Sequence, residues 1–306
     1  MNAVPLTGLD GSNPLAYLAA LGVLVALDDS ASKDARPRLS WHLEGAWQPT
    51  IHAEVADLGE IVRRLDEDRQ EQRDQPALHF TYDKKGKPCR DVKPSPKELN
   101  QCLKEWAPKA RPDRRLTVDW FTAFVSEGAV DNNGAAKPTA LHFTAGQQTF
   151  LGMALHLVKG VRPDHLREAL EGPWTYDSKL PVLGWDNTET RDYALRASNP
   201  ADEKKQGNPG ADWLALRGLR LLPTVAVAQR QRTPGVEGRW KHGRWAWPLW
   251  TASLTREVVE SLLMTGDLRD LSSEQRERRG IAQVFEVRIL RSDQGGYGSV
   301  TPARVA

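Results

Sequence analysis

The sequence predicts an α+β protein in which helices mix with mainly antiparallel sheet, gathered into two packed subdomains at 1–172 and 173–306. Three observations point there. An apolar segment from Leu15 to Leu27 repeats at helical spacing, alternating segments such as RLSWHL and AWQPTIHA read as hairpin strands, and 306 residues exceed the roughly 100 to 200 of one ordinary domain.

The first helix starts at Ser12 and Asn13, whose side chains suit the orphan N–H groups of a helix start, and Pro14 fits the first turn because its missing N–H is harmless there. Leu15, Leu18, Ala19, Gly22, Val23 and Ala26 recur at three and four, and small residues fill most other positions. Such a helix packs on nearly every side and lets its neighbours approach closely. At about 13 residues it falls short of the roughly 20 needed to cross a bilayer. No basic residue precedes it and Asp10 stands at its start, so it does not read as a secretory signal.

RLSWHL and AWQPTIHA join at Glu44 and Gly45 and feed a helix striped by Val55, Leu58, Ile61, Val62 and Leu65. From Lys84 to Arg115 prolines interrupt a lysine- and arginine-rich stretch, read as a loop, a short helix around Glu98 to Trp106, and another loop. TVDWFTAFV begins a helix, LHFTAGQQTFLGMALHLV reads as strand, tight turn and helix, and Pro163 to Leu170 is helical. The polar stretch from Pro173 to Gly210 forms either a joint between subdomains or an ordered functional loop. The last third is expected to hold a helix from Ala211 to Arg217, the apolar strand LRLLPTVAVA, and a hairpin GRWKHGRWAWPLW turning at His242 and Gly243. A helix from Thr255 to Leu263, a charged helix near Arg276 and the strand QVFEVRIL complete it.

Charge excludes one simple mode of binding. With 42 basic and 40 acidic residues the net charge is +2, so any surface for a polyanion must be local. Cys89 and Cys102 lie in a charged stretch and suggest a reducing cytosol rather than a disulfide framework. The seven histidines show no i,i+4 pair and neither cysteine has a partner two residues away, so no metal or cofactor site is assigned. GxxxxGK[ST], strand-to-helix GxGxxG and GxSxG motifs are missing, which leaves nucleotide hydrolysis and serine-hydrolase chemistry without their usual supports. No catalytic residue is assigned. His79 and His142 each precede Phe in similar LHFT segments, a hint of paired positions on a sheet, with core or edge histidines as the simpler reading. Asp186, Glu189 and Asp192 are carboxylates of the type that a Mg²⁺ ion for phosphodiester cleavage requires, yet they are also ordinary turn and cap residues, which is the simpler reading.

Nucleic-acid contact has the better pattern. Between Gln229 and Trp250, Arg230, Arg232, Arg239, Lys241 and Arg244 stand against a single acid, Glu237, with tryptophans interleaved. Cations neutralise phosphates, and rings such as Trp240 and Trp245 can stack on bases. A hairpin whose tryptophans only pack is the competing reading. Lys84, Lys85 and Lys87 form a second basic candidate, flexible enough to follow a phosphate backbone.

The opening LTGLDGSNPLAYLAALGVLVAL, then FTAGQQTFL, LGWDNTETRDYALRASNP, GADWLALRGLRLLP and WPLW occur in the order of a known group. The chain resembles non-catalytic CRISPR-associated proteins of type I-G loci, formerly type I-U, of the large-subunit or helicase-nuclease-extension kind. Asn187 stands where the family pattern has proline, while Arg191, Tyr193 and Ala194 match. The resemblance implies a subunit of a Cascade-like antiviral effector that reads shape while guide pairing reads sequence. It adds Arg191 as a phosphate contact and Tyr193 as a stacking ring. The implied partners are other effector subunits, guide RNA or target DNA, and a separate helicase-nuclease, with no membrane. A protein-interaction scaffold and a Mg²⁺-dependent nuclease are the alternatives.

Overall fold

Asn13, in extended backbone, accepts from the N–H groups of Leu15 and Ala16 at 2.9 and 3.4 Å and so caps helix α1 (Pro14–Asp29), which follows strand β1 (Asn2–Pro5). The computed structural model describes residues 1–109, 116–144, 148–187, 207–266, 268–291 and 297–306. Every residue of α1 from Pro14 to Leu27 is buried, as its uninterrupted apolar and small side chains require.

β2 (Arg38–Glu44) and β3 (Ala46–Ala53) form the expected hairpin around Gly45, and Asp57 caps α2 (Leu58–Glu71), which buries Ile61, Val62 and Leu65. Next come β4 (Tyr82–Lys84), β5 (Lys87–Cys89), α3 (Pro96–Trp106), α4 (Leu116–Phe124), β6 (Val125–Val130) and β7 (Ala136–Pro138). α5 (Phe150–Gly160), α6 (Pro163–Glu171) and α7 (Pro209–Gly218) are followed by β8 (Val225–Val227), β9 (Arg230–Arg232), β10 (Val236–Arg239) and β11 (His242–Leu249). The chain then runs through β12 (Leu254–Thr255), α8 (Arg256–Leu263), α9 (Ser273–Arg278), β13 (Gln283–Arg291), β14 (Gly298–Val300) and β15 (Arg304–Val305).

The chain is α+β, with mainly antiparallel sheets. One sheet has the order β1-β3-β2-β12; the other runs β10-β11-β13-β14, with β15 also on β13. Both sheets meet α1 at Tyr17, whose ring lies 5.7 Å from Trp41 of the first sheet and 5.7 Å from Trp247 of the second. Indole N–H groups tie the layers: Trp247 donates to the Gly11 carbonyl and Trp250 to that of Leu39, each at 2.8 Å.

Helix α7 packs along α1, so the apolar core runs across residue 172, and β12 completes the N-terminal sheet from the C-terminal side. Beside this helix pair Arg217, fully buried, donates to Asp29 at 2.7 Å and Asp68 at 2.6 Å. Arg220 and Arg256 also bind Asp29. Burial alone raises the Asp29 carboxyl, but the three guanidinium groups outweigh it and hold its pKa at about 2.

Several local expectations are corrected. LRLLPTVAVA is not one strand: Leu219–Leu221 continues α7 as a 3₁₀ turn, and only Val225–Val227 is extended after Pro223. The leucines cover the core as a helix continuation does. The LHFT segments do not pair as strands either. Leu141–Thr144 is turn and loop, with the His142 N–H on the Thr139 carbonyl, and His79 sits in a turn with its Nε2 on the Arg73 carbonyl at 2.7 Å. Lys84–Lys87, expected as a loop, is the β4–β5 hairpin turning at Lys85 and Gly86, both with positive φ.

Candidate nucleic-acid interface

The basic, tryptophan-rich segment folds as two hairpins. β8 and β9 turn at Ala228 and Gln229, whose φ values of +48° and +62° match a type I′ turn and bring Arg230 and Arg232 back beside β8. β10 and β11 turn at Trp240 and Lys241 rather than at His242 and Gly243. Arg239 pairs with His242, and Gly243 lies within the ribbon opposite Gly238. Gly238 is required there, because its φ is +91° and a Cβ would come within 2.7 Å of the His242 carbonyl.

Between these hairpins lies a cavity of about 360 Å³. Gly238, Gly243 and Ile289 are neighbours across three strands and leave it a shallow floor. Arg230, Arg232, Arg239, Trp240, Lys137 and Arg291 line it. Three of the five arginines and lysines expected to hold phosphates in the Gln229–Trp250 segment therefore converge on one opening. Lys241 shares the turn with Trp240 but stays outside the lining, and Arg244 faces Arg288 and Glu237 across its strand pairs. Alternation puts Arg244 on the sheet face away from Gly243. Glu237 is paired with Arg269, so its carboxylate does not stand alone among these cations.

The two tryptophans have opposite fates. Trp240 is 39% exposed at the turn, whereas Trp245 is 1% exposed, with its ring 4.9 Å from Trp247 and 6.2 Å from Tyr17. Packed from both sides, Trp245 cannot receive a base. Its expected stacking role is corrected to a core one, set by the inward register of β11 opposite Val236 and Val287. Arg191 and Tyr193 lie outside the described residues.

Arg291, which sequence patterns did not single out, organises the opening. Its Nε donates to the Trp240 carbonyl at 2.9 Å, Nη1 to that of His142 at 2.6 Å and Nη2 to that of Ala140 at 2.7 Å. Its guanidinium lies 3.7 Å from the Trp240 ring centroid, within cation–π range. Burial pushes its pKa down to about 9, which leaves it a cation at neutral pH. Only the β11–β13 register reveals this role.

Behind Arg291, the buried His142 directs Nε2 to the Asp91 carboxylate at 3.1 Å. Burial pushes the imidazole's pKa down and favours its neutral form. Burial would raise Asp91, but hydrogen bonds from His142 and the Val92 N–H, with Lys93 nearby, hold it at about 2. Lys93 has its pKa lowered first by burial, and both Arg291 and Lys84 repel its charge. Of the exposed Lys84, Lys85 and Lys87 on the β4–β5 hairpin, Lys84 thus lies within electrostatic reach of Lys93.

Of the three carboxylates considered for Mg²⁺, only Asp186 is among the described residues. Asp186 is buried and accepts from the Asn13 side chain at 2.9 Å, a contact that secures the start of α1; Glu189 and Asp192 lie outside the described residues. Among the described residues no group of three His, Cys, Asp or Glu side chains is placed to hold a metal ion, and no helix is long and apolar enough to cross a membrane. Neither a protein-family model nor a curated protein sequence matches the chain.

Proposed function

We propose that this chain is a nucleic-acid-binding, non-catalytic subunit of a type I CRISPR effector complex, holding phosphates of target DNA or guide RNA at the opening between β9 and β10–β11 while other surfaces dock partner subunits. The block-by-block resemblance to type I-G proteins supports the system. The convergence of Arg230, Arg232 and Arg239 on one cavity, with Glu237 paired to Arg269, supports the binding role and is the observation that carries it. Cations held around a concave surface concentrate potential where a polyanion can reach it, although the net charge is only +2.

The test is fluorescence anisotropy with the full chain and short labelled DNA and RNA strands across a salt series. Binding is expected to weaken steeply with salt and to be lost when Arg230, Arg232 and Arg239 are all changed to Glu. No binding at low salt, or unchanged binding by the triple variant, would overturn the assignment.

A second reading, a scaffold subunit without nucleic-acid contact, draws on Val225 and Val227, which are 47% and 55% exposed on β8. Changing both to Asp separates the two. Loss of assembly with the triple arginine variant still assembling and binding normally favours the scaffold.

A further inference from the structure

We propose that the cavity receives one unpaired nucleobase of a single-stranded nucleic acid, stacked on the face of Trp240 opposite Arg291. The inference rests on the phosphate-binding reading above and extends it to the kind of strand bound.

Four observations lead to it. The Arg291 guanidinium, 3.7 Å from the centroid, covers one face of the Trp240 ring, and the residue is still 39% exposed, which leaves the other face for a base. The ring is held in place, because the main chain that carries it accepts from Arg291 Nε, and Arg291 is itself fixed on the carbonyls of Ala140 and His142. A ring ordered before binding loses little freedom when a base arrives. The opening is of single-ligand size, at about 360 Å³, near the lower end of ordinary small-molecule pockets. Finally, the arginines border a cavity rather than forming a straight ridge, so phosphates on either side of an inserted base meet Arg230, Arg232 or Arg239.

A base within a duplex has both faces covered by its neighbours and cannot present one to Trp240 unless it is extruded. A single strand offers its bases at far lower cost, and aromatic stacking accepts any of them. Arg291 acts as a positioning residue, backing the ring that makes the contact.

The experiment compares four labelled probes on the full chain at one low salt concentration: oligothymidylate, oligouridylate, an abasic deoxyribose-phosphate strand of equal length, and a DNA duplex. The wild type is expected to prefer the base-bearing strands over the abasic strand and the duplex. The two base-bearing probes distinguish DNA from RNA. Trp240→Ala, at an exposed turn, should weaken binding to them by on the order of 10- to 100-fold and leave the abasic affinity unchanged, while Trp240→Phe restores most of the loss. Arg291→Lys, with an unaltered circular dichroism spectrum, should show a smaller loss confined to base-bearing strands. Equal loss on abasic and base-bearing strands with Trp240→Ala, or no loss on either, would overturn the stacking proposal and leave phosphate binding standing. Failure of every probe to bind would overturn both.

Discussion

Gly22 of α1 lies against the backbone of Leu214 in α7: a Cβ at this glycine would stand 1.8 Å from the Leu214 carbonyl oxygen. The contact is reciprocal, since a Cβ at Gly218 would come within 2.1 Å of the Leu18 carbonyl. Main chain faces main chain, so no side-chain rotation relieves either clash.

Gly22→Ala should therefore destabilise the protein by about 3 kcal/mol, the upper part of the usual range for overpacking, because the helices must move apart. Urea unfolding followed by circular dichroism reads the shift, and Gly266→Ala, at a position with open space around it, serves as the control with a change of less than about 0.5 kcal/mol.

Removing Arg217 has a different cost. Its guanidinium is fully buried between Asp29 and Asp68, and burial already raises the Asp68 pKa. Arg217→Ala should lose about 3–5 kcal/mol by leaving the Asp68 carboxylate without this partner. Adding Asp68→Asn should recover part of that loss, and a double-mutant cycle in urea measures the coupling.

Acid should weaken the fold in two stages. His142 is buried with its pKa lowered from 6.5, so the unfolded chain binds its proton first, and stability falls as pH drops below about 6.5 toward the folded value. Asp29 and Asp91, each held at about 2 against an ordinary 3.8, stabilise the fold above pH 4, and that contribution is lost between about 4 and 2. Urea midpoints collected from pH 8 to 3 should show both declines. His142→Asn should flatten the upper one and, by removing a hydrogen bond that holds the Asp91 pKa down, should shrink the lower one as well.

Two arginines five positions apart should behave differently toward nucleic acid. Arg239→Glu, at the cavity, should weaken binding and lower the slope of log affinity against log salt by about 0.7 on a single strand, one phosphate's worth. Arg244→Glu, outside the cavity lining, should leave that slope nearly unchanged. Anisotropy titrations in a salt series provide the comparison.

Sequence pattern located the elements whose signals are local. Asn13 and Pro14 mark the start of α1, alternation marks β2, β3 and β13, and an apolar stripe marks α2. β8 falls within the LRLLPTVAVA segment expected to be a strand, but three-residue β9 is too short to show alternation, and the turn between them uses Ala228 and Gln229 instead of glycine, so nothing local announces the hairpin. Gly243 looked like a turn residue because glycine serves both turns and close approaches, and here it serves the cavity floor. The basic segment itself was legible. Which of its residues share an opening was not, since that depends on pairing β11 with β13 and on a hydrogen bond between Arg291 and Trp240, 51 positions away.

The burial of α1 sets a schedule for the growing chain. Asp29 at its end and Arg217 on the partnering helix are separated by 188 residues. At about 5–20 residues per second of synthesis, α1 waits on the order of 10–40 s before α7 emerges to cover its glycine face. For that interval one of the most apolar segments of the chain lacks its main helical neighbour, which makes it a natural client for a holding chaperone and the first place where nascent chains would stick to one another.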